Sequence, residues 1–344
     1  MSAVLTSPPP ARAGRFGGLL RAEAHRFLSR RFIRVLLLLT LLGWVATLVI
    51  CLLGFRTPTA EELATARQTQ QEQIQVSNEG REQCLSAGDI PAGVAPEEWC
   101  GPVVTEEVMP VSDFLQRPPF SLSGDADDGA VAVAAVGAAL AFLLGGTFVG
   151  AEWSTRSMVA LLFWETRRPR VMAAKLLVTI GAMAVLGSLL QAIWLGVASV
   201  LQAVVGDGVA PPGGFWPELL GTQARAVLLT VFAGLLGFGL TNLLRNTGAA
   251  TGAAFVYLLI VENAVRALRP AWQPWLLTNN AAALVVPDGL TLEWPEQGFD
   301  DSGAPTSDVV QYLLGTGQAT VYLALVTAVV VGAGVVLFSR RDLH

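Results

Sequence analysis

Long apolar runs alternate with charged or polar connectors along this chain, and most of the apolar runs have the length of a membrane-crossing helix. They fall at about 34–54, 129–150, 171–205, 219–243, 248–268 and 318–338. Each reaches roughly 20 residues or more, enough to cross about 30 Å of hydrocarbon at 1.5 Å per residue. The third is long enough to tilt or to project past the bilayer. The second is built from small residues (AVAVAAVGAALAFLLGGTFVG), and its Gly146 and Gly150 form a small-xxx-small pair that permits close helix contact. Ahead of the first run, residues 15–31 set Phe16, Leu19, Leu20, Phe27 and Leu28 among five arginines. That pattern predicts a basic amphipathic helix for a headgroup layer. The apolar run behind it is too long for a signal-peptide core and has no A-x-A site. Residues 1–14, with Ser7-Pro8-Pro9-Pro10, read as disordered.

Two polar stretches interrupt the pattern. Residues 55–127 open with a helix-prone segment (TAEELATARQTQQEQIQ) and continue into a turn-rich one. Carboxylates there far outnumber the four arginines, Arg56, Arg67, Arg81 and Arg117. No metal-ligand spacing accompanies them, so the expectation is a solvated acidic face. Residues 269–317 contain Trp272, Trp275 and Trp294, suited to an interfacial belt. Within them PWLLTNNAAALVV is too short to cross and predicts a re-entrant or surface helix, and PDGLTLEWPEQGFDDSGAPTSD predicts an acidic loop.

Composition agrees with this division: of 344 residues, 53% are hydrophobic and only 14% charged, where soluble domains carry about 25%. The expected fold is an all-α polytopic membrane protein with six spans. Its parts are a cytoplasmic N-terminus (1–33), the first span (34–54), an extracytoplasmic insertion (55–127), spans two to five (128–268), a re-entrant and outer segment (269–317), and the last span with a cytoplasmic C-terminus (318–344). Orientation comes from Arg and Lys, which number fifteen in the proposed inner segments and six in the outer ones, with Arg225 left over inside the fourth span. Both termini are therefore expected in the cytoplasm, at the plasma membrane. Cys84 and Cys100 fall in the outer insertion, where a disulfide can persist, while Cys51 lies within an apolar span as a small buried thiol.

The inner connector GAEWSTRSMVALLFWETRRPRVMAAK (150–175) is the most charged stretch between two spans. Met158, Leu161, Leu162 and Glu165 fall at spacings of three and four, predicting a short amphipathic helix. Inside the membrane, Arg225 and Glu262 lie six residues from the outer ends of neighbouring antiparallel spans, each roughly 9 Å deep. Equal depth predicts an ion pair between them, with Arg266, one turn from Glu262, as an alternative partner.

Several functions have no support. No G-x-x-x-x-G-K-[ST] occurs, so this chain alone has no P-loop. His25 and His344 belong to no triad or zinc arrangement, and no basic face or motif points to nucleic acid. Gln191, Gln202 and Asn242 are thin support for a secondary transporter.

With the connector read, the chain resembles the permease subunits of ATP-binding-cassette transporters of the second exporter type, especially those of high-GC Gram-positive bacteria. The resemblance is carried by the basic helix before the first span, Gly150-x-Glu152-Trp153, Arg156-Ser157-Met158, Leu161-Leu162, Arg167-Arg168-x-Arg170-x4-Lys175 and the closing Phe338-x-Arg340-Arg341-Asp342. Ser154-Thr155-Arg156 departs from the basic-Gly-Thr run common in that family, and the 55–127 insertion is longer than in its minimal members. The resemblance implies a homodimer, or a pair with a sister permease, seated on two copies of a separate ATPase that binds the ATP and magnesium. It makes 152–168 the coupling helix and 15–31 the connecting helix, and it places Glu152, Arg156, Arg167, Arg168 and Arg170 at the ATPase. The rival reading is a non-transporting sensor or scaffold that signals from 55–127.

Overall fold

The computed structural model describes residues 16–88, 95–155, 157, 167–299 and 305–340. The disordered reading of residues 1–14, Arg156, the amphipathic stripe over 158–165 and the closing Arg341-Asp342 lie outside the described residues. Among the described residues, six helices are long and apolar enough to cross a membrane: α2 (Arg31–Gly54), α5 (Leu122–Ser154), α6 (Arg168–Val205), α7 (Phe215–Leu244), α8 (Thr247–Leu268) and α10 (Thr316–Arg340). By length and composition this is a multi-pass membrane protein. The helices run beyond the apolar stretches because a charged residue at a helix end is solvated without breaking the backbone ladder. Before α2 stands α1 (Phe16–Ser29), and between α2 and α5 come α3 (Ala60–Ala87) and α4 (Pro96–Cys100). Later in the chain, α9 (Leu277–Val285) precedes the strands β1 (Leu290–Phe299) and β2 (Pro305–Leu314).

Two compact units result. One comprises Met1–Leu41, Asp127–Trp194 and Gly214–His344, and the other Leu42–Ala126 and Leu195–Gly213. In the first, α5 and α7 approach until backbone meets backbone. A Cβ on Gly145 would stand 2.0 Å from the Gly234 carbonyl oxygen, and one on Gly237 would stand 2.1 Å from that of Phe142. A Cβ on Gly150 would stand 1.8 Å from the Thr247 hydroxyl, and one on Gly146 2.9 Å from that of Thr241. Small residues are what allow such contact between membrane helices. A cluster of Ala226, Leu229, Ala283, Leu284, Leu292, Leu314 and Leu323 joins α7, α9, the hairpin and α10.

The segment expected as an acidic loop is in part an antiparallel hairpin, paired from Leu290↔Leu314 to Phe299↔Pro305. Its alternation explains the difference. Leu292 and Leu314 are buried and Leu290, Trp294, Val310 and Tyr312 half-buried, while Thr291, Glu293, Val309 and Gln311 are exposed. Glu293, Pro295 and Glu296, which favour a loop, occupy exposed positions of a two-stranded ribbon, where a missing N–H costs little.

In the second unit, α3 begins with a reciprocal capping box. Glu62 N–H donates to the Thr59 hydroxyl at 3.3 Å and Thr59 N–H to the Glu62 carboxylate at 2.8 Å. These bonds from Thr59, with Arg56 adding to them, hold the Glu62 carboxyl below its usual range. The helix ends on Gly88 at φ +71°, a left-handed turn suited to glycine. A Cys84–Cys100 disulfide ties its last turn to α4. Gln70 and Asn78 then bind the returning chain, donating to the carbonyls of Met109 and Val104 at 2.8 and 2.9 Å. The insertion is thus a folded body, with a backbone that side chains hold in place.

Candidate functional site

The connector between α5 and α6 is framed by two groups of side chains. The first is a buried lock. Lys175 of α6 is fully buried, and its Nζ donates to Glu23 of α1 at 2.7 Å and to Glu152 of α5 at 2.8 Å. Arg30, at the junction of α1 and α2, reaches Glu152 at 3.0 Å, and Arg26 reaches Glu23 at 2.9 Å. The Phe148 ring closes the group, 5.0 Å from the Lys175 ammonium and 5.2 Å from the Phe27 ring. Helical spacing brings these residues together. Glu23, Phe27 and Arg30 share one face of the α1 segment, and Phe148 and Glu152 stand one turn apart on α5. Two buried carboxylates inside this group require cations, because an unpaired ion there costs several kcal/mol.

Trp153 faces the other way. Its indole N–H donates to Asn242 of α7 at 3.3 Å, its ring meets Phe338 of α10 edge-on at 6.1 Å, and the Arg245 guanidinium lies 4.6 Å above it. Arg245 caps α7 at φ +55°, an unusual conformation for a non-glycine residue. Arg168 adds bonds to the carbonyls of Phe338 and Ser339 at 3.5 and 3.3 Å, where a cation suits the C-terminal end of α10. Arg170 stands 5.8 Å from the Phe16 ring of α1. Successive residues of α5, about 100° apart around the helix, therefore grip two different sets of neighbours.

Burial divides the residues expected at a partner surface. Glu152 is 2% exposed and engaged internally by Lys175 and Arg30, so its carboxylate faces the protein interior. Arg168 and Arg170 also contact other helices of the same chain, and Arg167 is exposed. Glu23 escaped the sequence reading because one acid among arginines looks like ordinary surface. The available signal was its spacing from Phe27 and Arg30, together with a lysine at 175 just inside an apolar run.

The intramembrane charges also pair differently from the first expectation. Arg225 donates to Thr222 at 3.0 Å. Glu262, fully buried, takes Arg266 at 3.3 Å, the backbone N–H of Thr278 at 3.1 Å and the Thr278 hydroxyl. The physical reason is a helix end. Leu276, at the N-cap of α9, offers no side-chain acceptor, so Glu262 supplies one from α8. Arg266 extends the contact to Thr278 and Asn279 at 2.6 and 3.0 Å. A π-helical turn over Tyr257–Val261 immediately precedes Glu262. Such turns often occur at functional sites.

Among the described residues, no group of three or more His, Cys, Asp or Glu side chains is placed to hold a metal ion. The chain matches no protein-family model and no curated protein.

Proposed function

We propose that this chain is the membrane-spanning permease subunit of an ATP-binding-cassette transporter working as an exporter, driven by ATP hydrolysed on a separate ATPase subunit. The observation that carries this reading is the fastening of both ends of the connector. Glu152 and Trp153 on one side, and Arg168, Arg170 and Lys175 on the other, contact α1, α7 and α10. A push on residues 155–167 is thereby delivered to several helices at once, as a soluble motor acting on a membrane bundle requires. In this reading the connector faces the cytoplasm, both termini lie on that side, and two permease copies (or one with a sister permease) stand on two ATPases in the plasma membrane. Arg156 and Arg167 are the side chains assigned to the ATPase surface. Glu152, Arg168 and Arg170 transmit the movement from within the permease.

The second reading, a sensor or scaffold, draws on the folded and disulfide-tied insertion. Co-purification separates the two. The transport reading expects a bound ATPase whose hydrolysis depends on this chain and falls when Arg167 is replaced by Glu. A stable complex with a kinase or protease, and no ATPase, overturns it. So does labelling of an Arg167→Cys variant by an impermeant reagent applied outside intact cells.

A further inference from the structure

The insertion holds a cleft of about 350 Å³, within the range of small-ligand sites. Its walls come from residues 56–69, at the start of α3, and from Phe114–Arg117 on the return towards α5. Pro58, Ala66, Phe114 and Leu115 supply apolar surface, and Ala66 is buried beneath it.

The four charged side chains lining the cleft are not equivalent. Arg56 and Glu62 pair with each other, and Glu62 is further committed to Thr59. Glu61 and Arg117 are exposed and have no side-chain partner among the described residues. Thr65 and Thr69 donate their hydroxyl protons to the carbonyls of Glu61 and Thr65, both at 3.0 Å, which leaves their oxygens as acceptors. The cleft therefore offers one unpaired guanidinium, one unpaired carboxylate and hydroxyl acceptors beside an apolar wall. A ligand that answers all of these carries an anion and an N–H-bearing cation a few atoms apart, on an apolar stem.

Chain position names the source of such a ligand. Arg56 stands two residues beyond Gly54, the end of α2, and Arg117 five residues before Leu122, the start of α5. Both are helices of membrane-crossing length, so the cleft is tethered where lipid headgroups lie.

We propose that this cleft binds the headgroup of phosphatidylethanolamine from the adjoining leaflet. Its phosphate meets Arg117, its ammonium meets Glu61 and the threonine oxygens, and its glycerol stem lies on Pro58 and Phe114. A guanidinium matches phosphate in geometry as well as charge. Phosphatidylglycerol has no cation for Glu61, and phosphatidylcholine has no N–H to donate.

The test uses the full chain in nanodiscs made from equal parts of phosphatidylethanolamine, phosphatidylglycerol and phosphatidylcholine. Mild detergent extraction is followed by mass analysis of retained lipid. The expected result is selective retention of phosphatidylethanolamine, reduced about tenfold by Arg117→Ala and by Glu61→Gln, as loss of one charge-assisted bond implies. Arg117→Lys is expected to retain more than Arg117→Ala, and formation of the Cys84–Cys100 disulfide reports that each variant is folded. Equal retention of the three lipids, or unchanged retention in both folded variants, overturns the proposal. Displacement of the lipid by soluble glycerophosphoethanolamine at equal concentration also overturns it, because the site would then serve a soluble ligand. None of these readouts involves an ATPase, so they stand apart from the transport reading.

Discussion

Replacing Lys175 with Met tests the buried lock most directly, because it removes one cation from two carboxylates while roughly keeping side-chain length. In the native protein the ammonium lies 2.7 Å from Glu23 and 2.7 and 2.8 Å from the two carboxylate oxygens of Glu152, with no exposure at Lys175 or Glu23. Without it, Glu152 keeps Arg30, whose side chain is 20% exposed, and Glu23 keeps only Arg26, which is 44% exposed. With Arg26 nearly half in water, solvent screening leaves that contact worth about 0–1 kcal/mol. Glu23 is therefore left nearly uncompensated, and the expected loss is about 3 kcal/mol, the low end for breaking a buried pair. In a chain of this size that lowers Tm by on the order of 5 °C. Thermal unfolding of the purified protein in nanodiscs measures it. The double variant Glu23→Gln, Lys175→Met is expected to recover part of the loss, because a neutral side chain no longer demands a cation; Arg26→Ala serves as the exposed control. If Lys175→Met unfolds within about 1 °C of that control, buried charge is not what holds α1 to α5 and α6, and transmission through the lock is refuted.

Three further outcomes follow from named contacts. Glu262→Ala removes the acceptor at the start of α9 and is expected to cost about 1–3 kcal/mol, seen as faster amide exchange at Thr278; unchanged exchange there refutes the capping role. Gly145→Ala drives a Cβ into the Gly234 carbonyl and is expected to lower stability by about 1–3 kcal/mol. At Gly43, where a Cβ meets nothing within 4 Å, the same change is expected to be neutral or stabilising, and equal effects at the two sites would contradict the packing. Burial pushes the Asp207 carboxyl up, but bonds from Gln202, the Val209 N–H and Ser121 together hold it below its usual range. A folded value below the unfolded one, about 3.9, means that the stabilisation is complete above that value and is lost as pH falls through the folded one. Exchange protection of the Val209 amide, 2.9 Å from Asp207, should therefore hold from neutral pH down to about 4 and fall below it, and Asp207→Asn should remove that step.

Element type was legible where one local rule governed a long stretch. Six apolar runs predict membrane-length helices because a backbone in hydrocarbon must satisfy its own hydrogen bonds, and only length and hydrophobicity are needed to see it. The helical start of the insertion, the cysteine pair and the closely packed glycines of α5 were readable for similarly local reasons. The hairpin at 290–314 was not, since its alternation is short and broken by prolines and acids. Its inner face is defined only by what α9 and α10 place against it.

Charge partnership belongs to tertiary structure altogether. Equal depth along neighbouring spans made Arg225 the natural mate for Glu262, yet depth fixes only one coordinate. The direction in which each side chain leaves its helix decides the rest. Glu262 instead meets an α9 helix end with unfilled donors, and Glu152 turns inward to Lys175. From sequence alone come the number of membrane-length helices and the concentration of basic residues around one connector. Which of those charges face one another was decided by packing, because Glu23, Glu152 and Lys175 lie on three separate helices and become neighbours only when those helices assemble.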